Sequence, residues 1–172
     1  MLKNRSLLLI TLMICLGPCS GCHYFFHDAP PRYSVDLSHV PNAVPKWEPR
    51  SRYGNPHWYT IQGHVYRVLS SAKGYDRYGT ASWYGRKFHG KRTATREVYN
   101  MFAMTAASTE LPLPTYVRVT NLRNGRTVIV KVNDRGPFHA HRILDLSYAA
   151  AQKLGFARKG TAPVRVTALL PR

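Results

Sequence analysis

A predicted β-hairpin in the C-terminal half of the chain constrains its fold more than any other feature. Between residues 116 and 121 polar and apolar side chains alternate strictly, which is the two-residue period of a half-buried strand. Asn124-Gly125 follows, and this dipeptide is typical of a tight turn between antiparallel strands. Residues 126–132, rich in valine, then form the returning strand. The chain must therefore contain an antiparallel sheet.

Further strands are predicted on both sides of this hairpin. Residues 58–61 and 64–69, separated by Gln62-Gly63, indicate a second hairpin. Residues 79–84 indicate a short aromatic strand, and residues 164–169 a final one. Many short strands favour a barrel over a sandwich, although the pattern by itself leaves both open.

Two short helices are predicted. Ser147 is placed to cap a helix over residues 148–154, which contains three consecutive alanines and is followed by Gly155. A weaker helix is predicted over residues 105–108. We therefore expect a small, mainly β domain with short helices.

The N-terminus predicts export. Lys3 and Arg5 precede an apolar run over residues 7–16, which is too short to cross a bilayer comfortably. We interpret residues 1–21 as a signal peptide. A single anchoring helix is the alternative, and Gly17-Pro18 at the end of the run disfavours it.

The three cysteines, Cys15, Cys19 and Cys22, all lie in or directly after this segment, which excludes a disulfide framework. Residues 19–22, Cys-Ser-Gly-Cys, resemble the lipobox of bacterial lipoproteins, with Cys19 in place of the usual leucine. The resemblance implies an acylated Cys22 that holds the mature protein firmly in a membrane. Because His23 rather than an aspartate follows, we expect the periplasmic face of the outer membrane. Ordinary cleavage nearby, leaving a free thiol, is the alternative.

Composition suggests a tether and an anionic partner. Residues 22–56 are rich in proline and arginine without a helix or strand period, so we expect a mostly disordered tether before a domain over residues 57–172. The net charge of +17 predicts a polyanionic partner. Nucleic acid is the common choice, but export argues against it. Anionic lipid and cell-wall polymers fit the expected compartment.

Few carboxylates are available for acid–base chemistry. The chain has eight, and three lie in the expected tether. Asp134 stands out because it follows a strand and precedes Arg135 and Gly136-Pro137, where a rigid scaffold can present it to a groove. A turn aspartate that bonds its own backbone is the alternative. For Asp145 we expect a simpler role, complementing the N-terminus of the helix that follows.

Aromatic residues cluster around two glycines. They are Trp83, Tyr84, Phe88 and His89. Aromatic rings suit the apolar face of a sugar, although packing in the core is the alternative for Trp83. His139 and His141 could share a face toward a metal, but without a third ligand we expect no metal and no cofactor.

Several ordered blocks together resemble one known family. They are residues 79–85, 88–94, 105–107, 111–122, 132–138, which include Asn133-Asp134-Arg135-Gly136-Pro137, and 143–147. From about residue 74 to residue 172 the chain is similar to rare lipoprotein A, a family of septal cell-wall lytic transglycosylases. The resemblance implies a six-stranded double-psi β-barrel, and we expect a monomer that binds peptidoglycan glycan strands. No glycan-binding domain is expected after Arg172.

The resemblance also assigns site residues. Glu97 and Asp134 match the two groove carboxylates that the family is held to use in catalysis. The expected substrate-binding residues are Trp83, Tyr84, Phe88, His89, Ser108 and Arg135. In this chain Arg96 stands where the family pattern has glycine, Asn100 where it often has aspartate, and Ser108 where it has histidine. The alternative to an active enzyme is thus a catalytically degenerate peptidoglycan-binding lipoprotein.

The implied reaction is endolytic cleavage of the bond between N-acetylmuramic acid and N-acetylglucosamine, preferably in strands without stem peptides. A carboxylic acid protonates the leaving oxygen, and the muramic C6 hydroxyl closes a 1,6-anhydro ring. We expect Asp134 to serve as this acid and then as the base. Glu97 would position the sugar or stabilise developing positive charge.

Overall fold

The computed structural model describes residues 28–170. The expected signal peptide, residues 1–21, and the expected lipid-carrying Cys22 lie outside the described residues. Within the described part no helix is long and apolar enough to cross a membrane.

Eight strands and one α-helix make up the regular structure of the described chain. They are β1 (Trp58–Ile61), β2 (His64–Arg67), β3 (Asp76–Tyr84), β4 (Thr105–Ala107), β5 (Thr115–Asn121), β6 (Thr127–Asp134), β7 (Arg142–Ser147), α1 (Tyr148–Lys153) and β8 (Ala162–Leu169), with a 3-10 turn at Ala157–Lys159. Six strands close into a barrel in the order β3-β7-β4-β6-β5-β8, while β1 and β2 pair only with each other. The predicted mainly β fold with a six-stranded barrel is confirmed.

The central hairpin forms as its pattern predicts. β5 and β6 are antiparallel, with Val117 opposite Val130 and Val119 opposite Val128. These four side chains are completely or almost completely buried, whereas Arg118 between them is exposed. Alternation therefore sends the valines into the barrel and the charged residue to solvent.

One predicted helix is wrong, and one strand was not predicted. Residues 105–108 were expected to be helical, but Thr105–Ala107 is β4 and pairs with β6 in parallel and with β7 antiparallel. β7 itself was not predicted. It pairs in parallel with β3 across more than fifty residues of sequence. Both strands pair with partners that are distant in the sequence, which local propensity does not register.

The helix α1 begins as expected. The Oγ atom of Ser147 accepts a hydrogen bond from the backbone N–H of Ala150 at 3.2 Å. The three alanines of α1 are completely buried, so their small side chains let the helix lie close against the barrel. Gly155 follows with a φ of 76°, a conformation that suits glycine at a helix end.

The described part of the expected tether, residues 28–56, differs from the prediction of disorder. It has no helix or strand, but it lies against the barrel. Leu37 is buried in the hydrophobic core, and the N–H of Ala43 donates to the carbonyl of Ile129 at 3.0 Å. Farther on, the N–H of Ser51 donates to the carbonyl of Leu113. Apolar residues spaced between the prolines pack this segment against the barrel. The overall composition of the segment, rich in proline and arginine, does not indicate such packing.

Candidate active site

A groove of about 520 Å³ opens at the C-terminal ends of β3, β4 and β6, beside β7. Its polar lining includes Asp134, Arg135, His139, Arg142 and Asp145, and its aromatic lining includes Trp83, Tyr84, Phe88 and Phe138. Charged groups and aromatic faces therefore share one concave surface, as in many ligand-binding sites.

Asp134 ends β6 and turns its carboxylate into this groove. The Oδ1 atom accepts hydrogen bonds from the backbone N–H groups of Ala94 and Arg135, each at 2.8 Å. Burial raises the pKa of Asp134, while these N–H groups and the positive charge of Arg135 oppose the rise. Both bonds end on Oδ1, so Oδ2 has no donor among the described residues. Asp134 is thus held from a distant loop as well as from its own turn, with one oxygen free.

Asp145 is a second groove carboxylate, and its expected helix-terminus role is wrong. It lies on β7 rather than in the first turn of α1, and its Oδ1 accepts a hydrogen bond from Ser82 Oγ at 2.5 Å. Its Oδ2 lies 3.4 Å from a guanidinium nitrogen of Arg142. Burial raises the pKa of Asp145, which Arg142, Ser82 and the nearby His139 counteract. The side chain is only 16% exposed.

The sequence carries a signal for the position of Asp145. Residues 143–147 alternate, so a strand that buries Leu144 and Leu146 must turn Asp145 to the opposite face. The carboxylate is directly opposite Ser82 in the β3–β7 register. Assigning the segment to a strand would have placed this acid beside the aromatic end of β3.

Arg135 lines the groove but is occupied by the protein. Its Nε donates to the carbonyl of Gly54 at 2.7 Å, and one terminal nitrogen donates to the carbonyls of Ser108 and Leu111 at 2.9 and 2.7 Å. The other terminal nitrogen lies 3.1 Å from Asn55 Oδ1. Arg135 therefore fastens the groove turn to neighbouring loops, in addition to contributing charge.

Glu97 does not line the groove that contains Asp134 and Asp145. Its Oε1 lies 2.9 Å from Lys131 Nζ, and its Oε2 accepts a hydrogen bond from Asn133 Nδ2 at 2.6 Å. The structure therefore places this predicted catalytic residue against Lys131 and Asn133 of β6. The same loop carries Ala94, whose N–H holds Asp134, so Glu97 is linked to the groove through the backbone.

Three of the predicted aromatic contacts line the groove. Trp83 is mostly buried, and its Nε1 donates to the carbonyl of Ala157 at 2.9 Å. Tyr84 is buried and stacks on Tyr99 with ring centroids 4.1 Å apart. Phe88 is 41% exposed, so its ring is the most open stacking surface of the three.

Two of the predicted substrate contacts lie outside the groove lining. His89 accepts a hydrogen bond from the backbone N–H of Met101 at 3.2 Å on Nδ1. Ser108 is completely buried, and its Oγ accepts from the backbone N–H groups of Glu110 and Leu111. A side chain without exposed surface does not contact a ligand, so Ser108 shapes the loop under Arg135 instead.

The three departures from the family pattern also lie outside the groove lining. Arg96 has a φ of 73°, in the region that glycine favours, and its guanidinium lies over the ring of Tyr53 at 5.2 Å. Asn100 Oδ1 accepts a hydrogen bond from the N–H of Phe102 within a turn. Ser108 is buried, as described above. Among residues 28–170 no group of three or more His, Cys, Asp or Glu side chains could hold a metal ion.

Comparison with known proteins agrees with this architecture. The sequence profile of a family described as "Lytic transglycolase" matches residues 76–166, more than half of the chain. The chain belongs to this family of double-psi β-barrel proteins, in its rare lipoprotein A branch, and the predicted resemblance is confirmed.

Two curated relatives and one solved structure illustrate the similarity. The endolytic peptidoglycan transglycosylase RlpA of Vibrio cholerae is 45% identical over 166 residues, which cover 95% of this chain and 63% of that protein. The protein of the same name from Pseudomonas aeruginosa (strain UCBPP-PA14) is 54% identical over 144 residues, 84% of this chain and 42% of that protein. The chain thus spans between two fifths and two thirds of these relatives. A Clavibacter michiganensis expansin is 22% identical, with a TM-score of 0.44 over 57% of this chain and 52% of that one.

Proposed function

We propose that this protein is an endolytic lytic transglycosylase of peptidoglycan. It cleaves the bond between N-acetylmuramic acid and N-acetylglucosamine and leaves a 1,6-anhydromuramic end. The observation that carries the proposal is a single groove in which two largely buried carboxylates, Asp134 and Asp145, lie beside an exposed aromatic ring, Phe88. The names of the curated relatives state the same activity for those proteins.

Asp134 is the proposed general acid. Burial raises its pKa, which favours the protonated form that must give a proton to the leaving glycosidic oxygen. Its Oδ2 has no donor among the described residues and is free to carry that proton. After the transfer the carboxylate is the base that takes the proton of the muramic C6 hydroxyl. The C6 oxygen then bonds to the anomeric carbon as the glycosidic bond breaks.

Asp145 is the proposed stabilising carboxylate. Positive charge develops at the anomeric carbon as the leaving oxygen departs, as in other glycoside cleavages. The ion pair with Arg142 and the hydrogen bond from Ser82 both favour the ionised form of Asp145. The two acids thus have different surroundings, which suits different roles in one reaction.

Glu97 is proposed as a positioning residue. It bonds Lys131 and Asn133 of β6, and its carbonyl accepts from the N–H of Thr93 at 2.8 Å. These contacts fix the loop that brings the Ala94 N–H to Asp134. Glu97 would therefore act on the sugar only through the placement of Asp134.

The second candidate function is a glycan-binding lipoprotein with a degenerate site. Asn100 and Ser108 favour it, because the family pattern has an acid and a histidine there. Neither residue lines the groove, so their substitution removes no side chain from the lining that contains Asp134 and Asp145. This supports the enzyme over the degenerate form.

The envelope location is part of the same proposal. The substrate is the cell wall, and the N-terminal sequence carries the expected signal peptide and Cys22. We infer an acylated protein at the periplasmic face of the outer membrane, a monomer that binds glycan strands, with strands free of stem peptides preferred. A Cys22→Ser protein should leave the membrane fraction and lack the acyl mass.

A product assay tests the activity itself. The purified chain is incubated with glycan strands from which stem peptides have been removed, and the soluble products are analysed by mass spectrometry. Internal fragments with anhydromuramic ends are expected. Strand binding without any such ends would favour the degenerate alternative.

A further inference from the structure

The first described residues lie across the groove wall. Asp28 and Ala29 line the groove that contains Asp134 and Asp145, and together with Pro30 they line a second cavity of about 340 Å³. Residues 28–30 are called the strap below. Trp83 borders both cavities, so the strap lies between two parts of one aromatic surface.

A carboxylate holds the strap in place. Asp28 Oδ2 accepts a hydrogen bond from the backbone N–H of Gly85 at 2.6 Å, and Oδ1 accepts from the N–H of Lys87 at 2.9 Å. Between them the N–H of Arg86 donates to the carbonyl of Ala29 at 3.0 Å. Backbone N–H groups that converge in this way form an anion-binding concavity.

From this geometry we propose that the N–H groups of Gly85 and Lys87 form a carboxylate subsite of the groove, which Asp28 occupies in cis and which the lactyl carboxylate of a muramic acid residue occupies during binding. This rests on the proposed function. The subsite would recognise the carboxylate of the substrate, and Asp28 of the strap would compete with that carboxylate for the same two N–H groups.

The close approach at this subsite depends on a missing side chain. A Cβ atom on Gly85 would lie 2.5 Å from the carbonyl oxygen of Ala29 and 2.8 Å from the Trp83 ring. Glycine therefore lets the Ala29 carbonyl lie close to this backbone beside the Trp83 ring, which keeps Asp28 within reach of the two N–H groups. Lys87, whose ammonium lies 5.7 Å from the centre of the Phe88 ring, adds positive charge at the same edge.

The strap is joined to the barrel by few contacts. Within residues 28–36 of the described chain, the hydrogen bonds to the barrel come from Asp28 and Ala29 alone. The next anchor along the chain is Val35, which packs partly buried against the core just before the buried Leu37. Release of Asp28 would thus free the strap up to that anchor and join the two cavities along Trp83, which lengthens the groove for a polymeric strand.

The chemistry of the occupant follows from the subsite. A muramic acid without a stem peptide carries a free lactyl carboxylate, whereas a muramic acid with a peptide carries an amide there. Two backbone donors and a nearby ammonium favour the charged group. Carboxylates of the stem peptide share this chemistry but are attached farther from the sugar, so the test must separate the two sources.

The test is a binding measurement on the full chain. The probes are N-acetylmuramic acid, its methyl ester, and an N-acetylmuramoyl dipeptide, and the readout is the NMR shift of the Gly85 and Lys87 amides. Asp28→Ala should bind the free acid about tenfold more tightly than the native chain, because an internal competitor at millimolar effective concentration is gone. The methyl ester and the dipeptide should gain much less.

Matched variants keep this result interpretable. Asp36→Ala removes a carboxylate from the same segment, one that accepts a hydrogen bond from the nearby Ser38, and should bind like the native chain. Asp28→Asn keeps the side-chain shape and should lie between the native chain and Asp28→Ala, which guards against a folding defect in the latter.

Three outcomes would overturn the subsite. They are equal gains for acid and ester, a gain for the dipeptide alone, or shifts that miss Gly85 and Lys87. The measurement reports binding and not catalysis. If the protein binds the acid at this subsite but yields no anhydro ends, the subsite is supported and the proposed activity is refuted.

Discussion

At the residue scale the groove contains two acids with unequal surroundings. Asp134 has two backbone donors on one oxygen and, among residues 28–170, none on the other, whereas Asp145 has a hydroxyl donor and an arginine partner. Burial raises the pKa of both carboxyls. Acids with perturbed pKa values in a shared cleft are typical of active sites.

The role of Asp145 can be tested by a neutral replacement. Asp145→Asn keeps an acceptor for Ser82 but removes the negative charge that would face the anomeric carbon. We expect kcat to fall on the order of 100-fold with little change in KM. Asp76→Asn is the control, since Asp76 pairs with Arg165 at the surface of β3 and β8. Equal activity of native and Asp145→Asn protein would remove Asp145 from the mechanism.

The positioning role of Glu97 needs a pair of variants. Glu97→Gln and Lys131→Met both remove the ion pair between the loop and β6, and each should lower kcat about 10- to 100-fold through a misplaced Asp134. The pH profile should keep its shape, because the titrating acid is unchanged. If Lys131→Met is neutral while Glu97→Gln abolishes turnover, Glu97 acts on the sugar directly.

At the element scale, local signals predicted the structure well and long-range pairing was missed. The alternation before Asn124-Gly125 and the Ser147 cap each depend on neighbouring residues, and both are present. β4 has three residues and gains its pairing from β6 and β7, so its sequence looks as suitable for a helix as for a strand.

The N-terminal segment provides a test at the same scale. Leu37 is 7% exposed and packs in the core, so Leu37→Ala should lower the free energy of unfolding by about 2–5 kcal/mol. Val44 in the same segment is 77% exposed, and Val44→Ala should change it by less than about 0.5 kcal/mol. Urea denaturation measures both. Negligible effects of both substitutions would support the prediction that this segment is a disordered tether.

At the scale of the whole molecule, the site could be predicted only in part. Asp134, Trp83, Tyr84 and Phe88 do line the groove, since strand ends and adjoining turns carry them there. Glu97 and Ser108 lie elsewhere, because the paths of their loops are fixed by contacts with β6 and Arg135 that no local pattern contains. The strap was not foreseen for the same reason.

The excess of positive charge leads to a further expectation. Lys87 lines the groove, and Arg86 and Lys91 are exposed beside it. Affinity for glycan with free carboxylates should fall as salt rises through about 0.15 M, where the Debye length is near 8 Å. Phe88→Ala should weaken binding without changing this salt dependence. An affinity that does not change with salt concentration would mean that stacking on aromatic rings, and not charge, provides the binding.

The central claim is that Asp134 is the acid of an anhydro-forming cleavage. The most direct measurement is the rate of anhydro-end formation by Asp134→Asn on glycan free of stem peptides, followed by mass spectrometry, together with glycan binding and thermal unfolding of the same variant. Asparagine keeps the Oδ1 acceptor, but its amide N–H is far too weakly acidic to protonate the leaving oxygen.

The account predicts a rate lowered by about 100-fold or more, with binding and folding kept. It also predicts that native activity falls as pH rises through the raised pKa of Asp134, because the protonated acid is then lost. Near-native turnover by Asp134→Asn would contradict the claim.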